Sequence, residues 1–285
     1  MNLVKEKGLK YVFLACACFS IVAVFLICFY LFANGLPAMF EIGVGDFLFG
    51  MKWKPTNGIY GILPMIVGSI YVTAGAIVVG VPIGILCAIY LVFFCPKKLL
   101  NIFKPAIDLL AGIPSIVYGF FGLVVIVPLF QYLFGGSGKG ILTASVLLGI
   151  MILPTIVSIS YSSLKAIPDS YYQASLALGA SHERSVFFIC LKAAKSGVLA
   201  SVILGVGRAI GETMAVIMVA ENSPIMPTSI LSGVRTMTAN VVMEMSYATG
   251  MHRSALIATA VVLFVFILLI NISFSCIKNK EAKQS

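Results

Sequence analysis

Five stretches of the chain carry no Asp, Glu, Lys or Arg: Tyr11–Phe40, Pro55–Pro96, Leu109–Gly138, Gly140–Leu164 and Ser254–Ile277. A helix needs about 20 mainly apolar residues to cross the hydrocarbon core of a bilayer, so each stretch can hold one span. In the second, Thr56–Gly61 is turn-like, which places its span within Leu63–Phe94. A sixth apolar segment, Ser196–Ala220, is interrupted only by Arg208 and Glu212. The runs are continuous rather than alternating, which argues against a barrel. The expected fold is all-α and integral to the membrane, with six transmembrane helices.

Composition excludes the soluble alternatives. Of 285 residues, 60% are hydrophobic and 10% charged, whereas soluble domains carry about 25% charged residues. There is too little polar surface for a soluble enzyme, a nucleic-acid-binding domain or a disordered chain. A net charge of +9 would suggest a polyanion partner in a soluble protein; in a membrane protein Lys and Arg mark the cytoplasmic side. With the N-terminus inside, thirteen basic residues fall on that side. Five (Lys52, Lys54, Lys139, Arg235 and Arg253) fall outside, and Arg208 stays within a span. Both termini are therefore expected in the cytoplasm, and no nucleic-acid partner is expected. The Lys-rich start resembles a secretory signal, but its apolar run exceeds the roughly 7–15 residues of a signal core, so it reads as a retained span. The seven cysteines lack CxxC spacing, which supports neither a disulfide framework nor a zinc site.

Several local patterns fail on inspection. Gly135-Gly136-Ser137-Gly138-Lys139-Gly140 lacks the Gly a phosphate loop needs at position 133 and the Ser or Thr it needs after Lys139; it reads as an outer turn. Leu231-Ser232-Gly233-Val234 is an incomplete echo of an ABC ATPase signature, so no ATP hydrolysis is expected here. His182 and His252 are placed in loops and Asp108 at a helix start. No nucleophile–base pair or double carboxylate can be assembled from neighbouring positions, which argues against an intramembrane enzyme.

Arg208 and Glu212 are more informative. A charge at a span centre costs about 2.5–3.5 kcal/mol on insertion scales, and the i,i+4 spacing puts both on one helix face, where they can pair. Gly207 and Gly211 on the same helix form a small-xxx-small pattern that admits a close neighbour. The pair is either an ionic bond that fastens helices or part of a polar pathway for a charged solute. In the second case Arg208 would supply planar donors matched to an oxyanion. Gly80-x-Pro82-x-Gly84 marks a further close contact or kink.

Tyr161–Lys195 is the longest inside connection. Pro168-Asp169-Ser170 signals a helix start with Asp169 or Ser170 as N-cap, Gly179 a stop, and Ser181 the cap of a second short helix. Two short helices with a glycine elbow make either a cytoplasmic docking surface or a helix resting on lipid. Within it, Tyr172-Gln173-Ala174-Ser175-Leu176-Ala177-Leu178-Gly179-Ala180, followed by Phe188-x-x-Leu191, resembles the EAA loop of ABC importer permeases; Gln173 stands where the family often has Glu, and Lys192 where Pro commonly follows Leu.

Four further segments resemble the permease subunits of the phosphate-specific importer. They are Gly112-Ile113-Pro114-Ser115-Ile116-Val117-Tyr118-Gly119, Leu142-Thr143-Ala144-Ser145, Met151-Ile152-Leu153-Pro154-Thr155 and Gly207-Arg208-Ala209-Ile210-Gly211-Glu212-Thr213-Met214-Ala215-Val216. Met-Ala-Val after Gly-Glu-Thr is similar to the PstC-type subunit.

The resemblance implies the type I importer permease (MetI-like) fold in a bacterial-type cytoplasmic membrane. It implies residues 1–58 as a first helix and outer loop, 59–278 as the permease domain with its coupling loop 161–195, and 279–285 as a tail. The chain would form half of a heterodimeric pore with a PstA-type subunit. A cytoplasmic ATPase dimer, which binds the ATP and Mg, would sit beneath, and an extracytoplasmic phosphate-binding protein above. This chain would hold no cofactor, and its solute would be inorganic phosphate. Another oxyanion such as sulfate or molybdate is the main alternative; a stand-alone secondary transporter and a purely structural membrane subunit are others.

Overall fold

A computed structural model describes the backbone of residues 3–282 and the side chains of residues 9–273. Of the terminal basic residues behind the inside orientation, Lys10 is among them, whereas the side chains of Lys5, Lys7 and Lys278 and those of the 279–285 tail lie outside them.

The chain runs α1 (Leu3–Ile42), α2 (Val44–Phe49), a two-stranded antiparallel hairpin of β1 (Trp53–Lys54) and β2 (Ile59–Tyr60), then α3 (Leu63–Ile89), α4 (Lys97–Ala111), α5 (Ser115–Phe121), α6 (Val127–Phe134) and α7 (Ile141–Lys165). It continues with α8 (Asp169–Ala177), α9 (His182–Arg184), α10 (Leu191–Ala193), α11 (Lys195–Gly211), α12 (Met214–Val219), α13 (Met237–Glu244) and α14 (Gly250–Ala282). Wider π-helical turns extend α3 over Tyr90–Phe94, join α5 to α6 over Gly122–Ile126, and join α9 to α10 over Ser185–Cys190.

Five segments are long and apolar enough to cross a membrane: Leu9–Ile42, Leu63–Phe94, Ser115–Phe134, Ile141–Lys165 and Gly250–Ser273. The second matches the expected span end to end. The third begins at Ser115 rather than Leu109, because Gly112-Ile113-Pro114 ends α4 first; Asp108 consequently sits near the end of α4 and not at a helix start. A sixth span exists only if His182–Ala193 and Lys195–Gly211, bent by 72°, count as one. The two histidines occupy the first turns of α9 and α14 rather than loops.

The centre of the bundle is α3 packed alongside α7. A Cβ on Gly80 would lie 2.8 Å from the carbonyl oxygen of Gly149, and one on Gly84 would lie 2.7 Å from Ile156 Cγ2. Glycine is what lets these two backbones approach. Ser145 Oγ donates 3.2 Å to the Val72 carbonyl across the same seam. Gly207 and Gly211 differ: among the described residues nothing comes within 4 Å of either Cβ position, so that face of α11 is open.

Three apolar clusters divide the molecule by depth. The middle one joins α3, α5, α7 and α12 through Val72, Leu147, Met151, Ile152, Val216 and Val219. A second, at the hairpin end, joins α1, α2, the hairpin, α3, α13 and α14 through Met39, Phe47, Trp53, Met65, Met237 and Leu256. The third joins the ends of α3 and α7 to the loop that follows through Leu91, Leu164 and Val186.

Candidate functional site

The expected sixth span, Ser196–Ala220, is not one helix. α11 stops at Gly211; Glu212 is extended (φ −69°, ψ 130°), and α12 starts at Met214. Glu212 Oε1 accepts the Ala215 N–H at 3.2 Å, so the carboxylate caps the shorter helix. This geometry corrects the expected pairing: off the α11 helix, Glu212 loses its i,i+4 relation to Arg208, and the two form no ion pair among the described residues. Thr213 Oγ1 donates 3.2 Å to the Gly211 carbonyl. From α13, Thr238 Oγ1 donates 3.3 Å to the freed Glu212 carbonyl. Irregular backbone at membrane depth is tolerated where protein buries it or where it lines a polar cavity.

Arg208 lies in the last turn of α11, where unpaired carbonyls carry partial negative charge. Its NH1 donates 3.3 Å to Thr155 Oγ1 on α7, and no other side chain among the described residues bonds it. A guanidinium has five N–H donors in a planar fork, so most remain for a ligand. Arg208, Glu212 and Thr213 thus converge on one helix break, half-buried and beside α7.

The loop after α7 has the helix–elbow–helix form its sequence predicts. Pro168 occupies the N-cap of α8 without a side-chain bond, in place of the expected Asp169 or Ser170, since fixed φ pre-sets the turn there. Gly179 has φ +83°, a left-handed conformation that disfavours a side chain. Gly179 N–H donates to Leu176 O at 2.9 Å and Ala180 N–H to Ser175 O at 3.2 Å, which satisfies the last carbonyls of α8. Ser181 Oγ accepts from Arg184 N–H at 3.3 Å, and Ser175 and Ser185 hydroxyls bond at 2.9 Å across the elbow. Tyr172 OH lies 2.6 Å from His182 Nδ1, and the His182 ring meets Phe94 edge-on at 4.6 Å. Gln173 and Ala174 are exposed, Leu191 is half-buried, and Leu178 at the tip is 89% exposed.

One polar cluster escapes sequence reasoning. Glu244, 7% exposed, accepts Arg235 NH1 at 2.6 Å on one oxygen. Its other oxygen accepts Trp53 Nε1 at 2.9 Å and lies 2.8 Å from His252 Nε2. Arg235 also donates to Asn222 O at 2.9 Å and Asn240 Oδ1 at 3.1 Å. The available signal was that Arg235 and Glu244 are the only charged residues between 222 and 252. The glycine turn at 135–140 is fastened at its far end, where the N–H groups of Gly140, Ile141 and Leu142 donate to the carbonyls of Val219, Ser232 and Ile230.

Comparison with known proteins is consistent across sequence and fold. Residues 80–280 match the family described as binding-protein-dependent transport system inner membrane component. The chain is 37% identical to the probable ABC transporter permease protein YqgH of Bacillus subtilis, over 90% of this chain and 86% of that one. It is 34% identical to the phosphate transport system permease protein PstC of Mesorhizobium japonicum, over 84% and 80%. Its fold resembles a bacterial alginate ABC transporter chain, solved with an alginate-bound periplasmic protein (TM-score 0.63, 13% identity, 100% and 98% covered). It also resembles the MetNI methionine ABC transporter in an inward-facing conformation (TM-score 0.60, 18% identity, 81% and 99% covered). The chain belongs to the binding-protein-dependent transport system inner membrane component family: it is an ABC importer permease subunit, a multi-pass protein of the plasma membrane.

Proposed function

We propose that this permease subunit imports inorganic phosphate as the PstC-type half of a heterodimeric pore. The observation that carries the reading is Arg208, a guanidinium held by one hydroxyl beside a broken helix, with most of its donors unspent. A planar fork of donors suits a tetrahedral oxyanion. The 34% identity to a phosphate system permease supports phosphate as that anion.

In this proposal an extracytoplasmic phosphate-binding protein delivers the anion. A PstA-type subunit packs on the open face of Gly207 and Gly211. A cytoplasmic ATPase dimer holds ATP and Mg and engages the coupling loop around Tyr172, Gln173, Ala174, Ser175, Leu178, Gly179, Ala180 and Leu191. Both termini lie on the ATPase side, membrane lipid surrounds the pair, and this chain binds no cofactor. ATP binding moves the loop, and the packed helices move with it as bodies. Straightening of the Gly211–Thr213 break would return Glu212 to the face of Arg208, where it would neutralise the guanidinium and release the anion. Thr213 sits at the hinge of that change. Gly80 and Gly84 keep α3 and α7 together while it happens.

The test is ATP-dependent phosphate uptake by the reconstituted four-component complex, with sulfate and molybdate as competitors. Uptake competed by neither supports the reading. Stronger uptake of sulfate or molybdate reassigns the oxyanion, and uptake without the ATPase overturns the importer mechanism.

A further inference from the structure

Polar side chains on α7 are distributed by depth as well as by face. At 100° per residue, Thr155, Ser158, Ser162 and Lys165 fall within an arc of roughly 80°. All four are half-buried or exposed, whereas Ile156, Val157, Ser160 and Leu164 on the opposite side are buried. Continued in the other direction, the Thr155 face carries Ala144, Leu148 and Met151, all buried in the middle apolar cluster. The stripe therefore begins at the residue that holds Arg208, is sealed on the outer side, and runs about 15 Å toward the coupling loop.

Its groups are arranged for an anion. Thr155 Oγ1 accepts from Arg208 and donates to no acceptor among the described residues, so its hydrogen is left for an incoming oxygen. One turn on, Ser158 Oγ donates 2.9 Å to Asp108 Oδ1 on α4. Asp108 in turn accepts Lys104 Nζ at 2.6 Å on both oxygens. Beyond it, Lys104 and Lys165 Nζ lie 5.6 and 5.7 Å from the centroid of the Tyr161 ring. Two cations thus border the Tyr161 ring at the end of the stripe, one of them already held by a carboxylate. A site on a transport path must attract its solute and still let it leave; Asp108 competes with the anion for Lys104 and keeps that station weak.

We infer that Thr155, Ser158, Lys104 and Lys165 form the exit route of the transported oxyanion from Arg208 to the ATPase side, with Asp108 as its electrostatic counterweight. The inference rests on the proposed importer function and adds a second anion station to it.

The test uses the whole complex in proteoliposomes with its ATPase face outward and the phosphate-binding protein and phosphate enclosed in the lumen. ATP-dependent release of lumenal phosphate by the unaltered complex checks the underlying reading, whose failure is thereby separate. Ser158→Cys is then exposed to a membrane-impermeant anionic thiol reagent, with labelling at position 158 read by mass spectrometry. The thiol is expected to react from the ATPase face, and inorganic phosphate to slow the reaction at least about threefold, as a mostly occupied site would. The double variant Thr155→Val, Ser158→Ala should lower the kcat of transport about tenfold, the rate equivalent of one hydrogen bond to a charged ligand. KM, set by capture on the binding protein, should be unchanged, and Ser158→Thr should retain most of the rate. Absence of labelling, labelling that phosphate does not slow, or a double variant with unaltered kcat overturns the inference.

Discussion

The indole Nε1 of Trp53 donates 2.9 Å to the carboxylate of Glu244, across 191 residues of sequence. That single bond ties the β1–β2 hairpin to α13, and through Arg235 and His252 it draws in the segment after α12 and the start of α14. Four outer elements therefore share one buried carboxylate. The rings of Trp53, Tyr60, Tyr247 and His252 cluster around it at centroid distances of 5.7–6.5 Å, Tyr60 and His252 stacked and Trp53 edge-on to both.

Removal of this carboxylate leaves the part-buried Arg235 guanidinium without a counter-charge, with only the neutral oxygens of Asn222 and Asn240 to accept from it. Glu244→Ala should destabilise the protein by about 3–5 kcal/mol, the cost of breaking a buried pair from one side. Trp53→Phe, which loses one hydrogen bond to a charged group, should cost about 1.5–3 kcal/mol. Thermal unfolding of the purified complex measures both, and equal Tm values for the two variants would contradict this arrangement.

Arg208→Ala should abolish phosphate uptake in a complex that still assembles, whereas Arg208→Lys keeps the charge but loses the planar fork and should transport partially. Glu212→Gln preserves an oxygen to cap α12; Glu212→Ala does not, and should cost about 1 kcal/mol more. Uptake assays on variants matched for membrane abundance decide the first pair, and unfolding measurements the second.

The elbow of the coupling loop can be probed without disturbing its core. Cysteines placed at Ala177, Leu178 or Ala180 should crosslink to the ATPase in an active complex. Tyr172→Phe removes only the hydroxyl that meets His182, so ATP hydrolysis should persist while phosphate moved per ATP falls severalfold, consistent with the loss of about 1 kcal/mol of local order. An unchanged transport ratio would show that this bond between α8 and α9 is not needed for coupling.

The glycines separate into two groups by their neighbours. Gly84→Val places atoms inside Ile156 and should cost about 1–3 kcal/mol by overpacking. Gly207→Val meets nothing among the described residues, so it should leave the isolated subunit's stability nearly unaltered and weaken its pairing with the second subunit. Co-purification of the two subunits reads the difference.

Lys104, through its hydrogen bonds to the carboxylate, holds the Asp108 carboxyl below its ordinary pKa, and Ser158 adds to the effect. A lowered folded-state value means stabilisation that is present above the unfolded pKa and lost as pH falls through the folded one. Because Asp108 is half exposed, water screens the pair and the effect on stability is small. Wild type and Asp108→Asn should differ at pH 7 and converge below the ordinary carboxylate range, as followed by unfolding at a series of pH values.

Much of the fold is legible locally. The second span coincides with its helix because Leu63–Phe94 is uniformly apolar and its backbone bonds are all internal. The elbow at Gly179 is legible for the same reason: helix stop and start signals act within four residues. Asp108 lies elsewhere than expected because charge alone does not separate the start of a helix from its end; Gly112-Ile113-Pro114, four residues on, decides it.

Sequence alone determined the membrane class, five of the spans, the helix–elbow–helix form of the loop after α7, and Arg208 as a charge kept where insertion is costly. In lipid each segment must satisfy its own backbone, so its signal is contained in its own residues. Only the tertiary structure decided that Glu212 leaves the helix to cap α12, that Thr155 holds Arg208, that Gly80 and Gly84 are packed while Gly207 and Gly211 are open, and that Glu244 is the outer hub. Each of these depends on which partner stands within about 3–4 Å. For Thr155 and Arg208, or Trp53 and Glu244, that partner lies far away in sequence, and no periodicity along the chain encodes it.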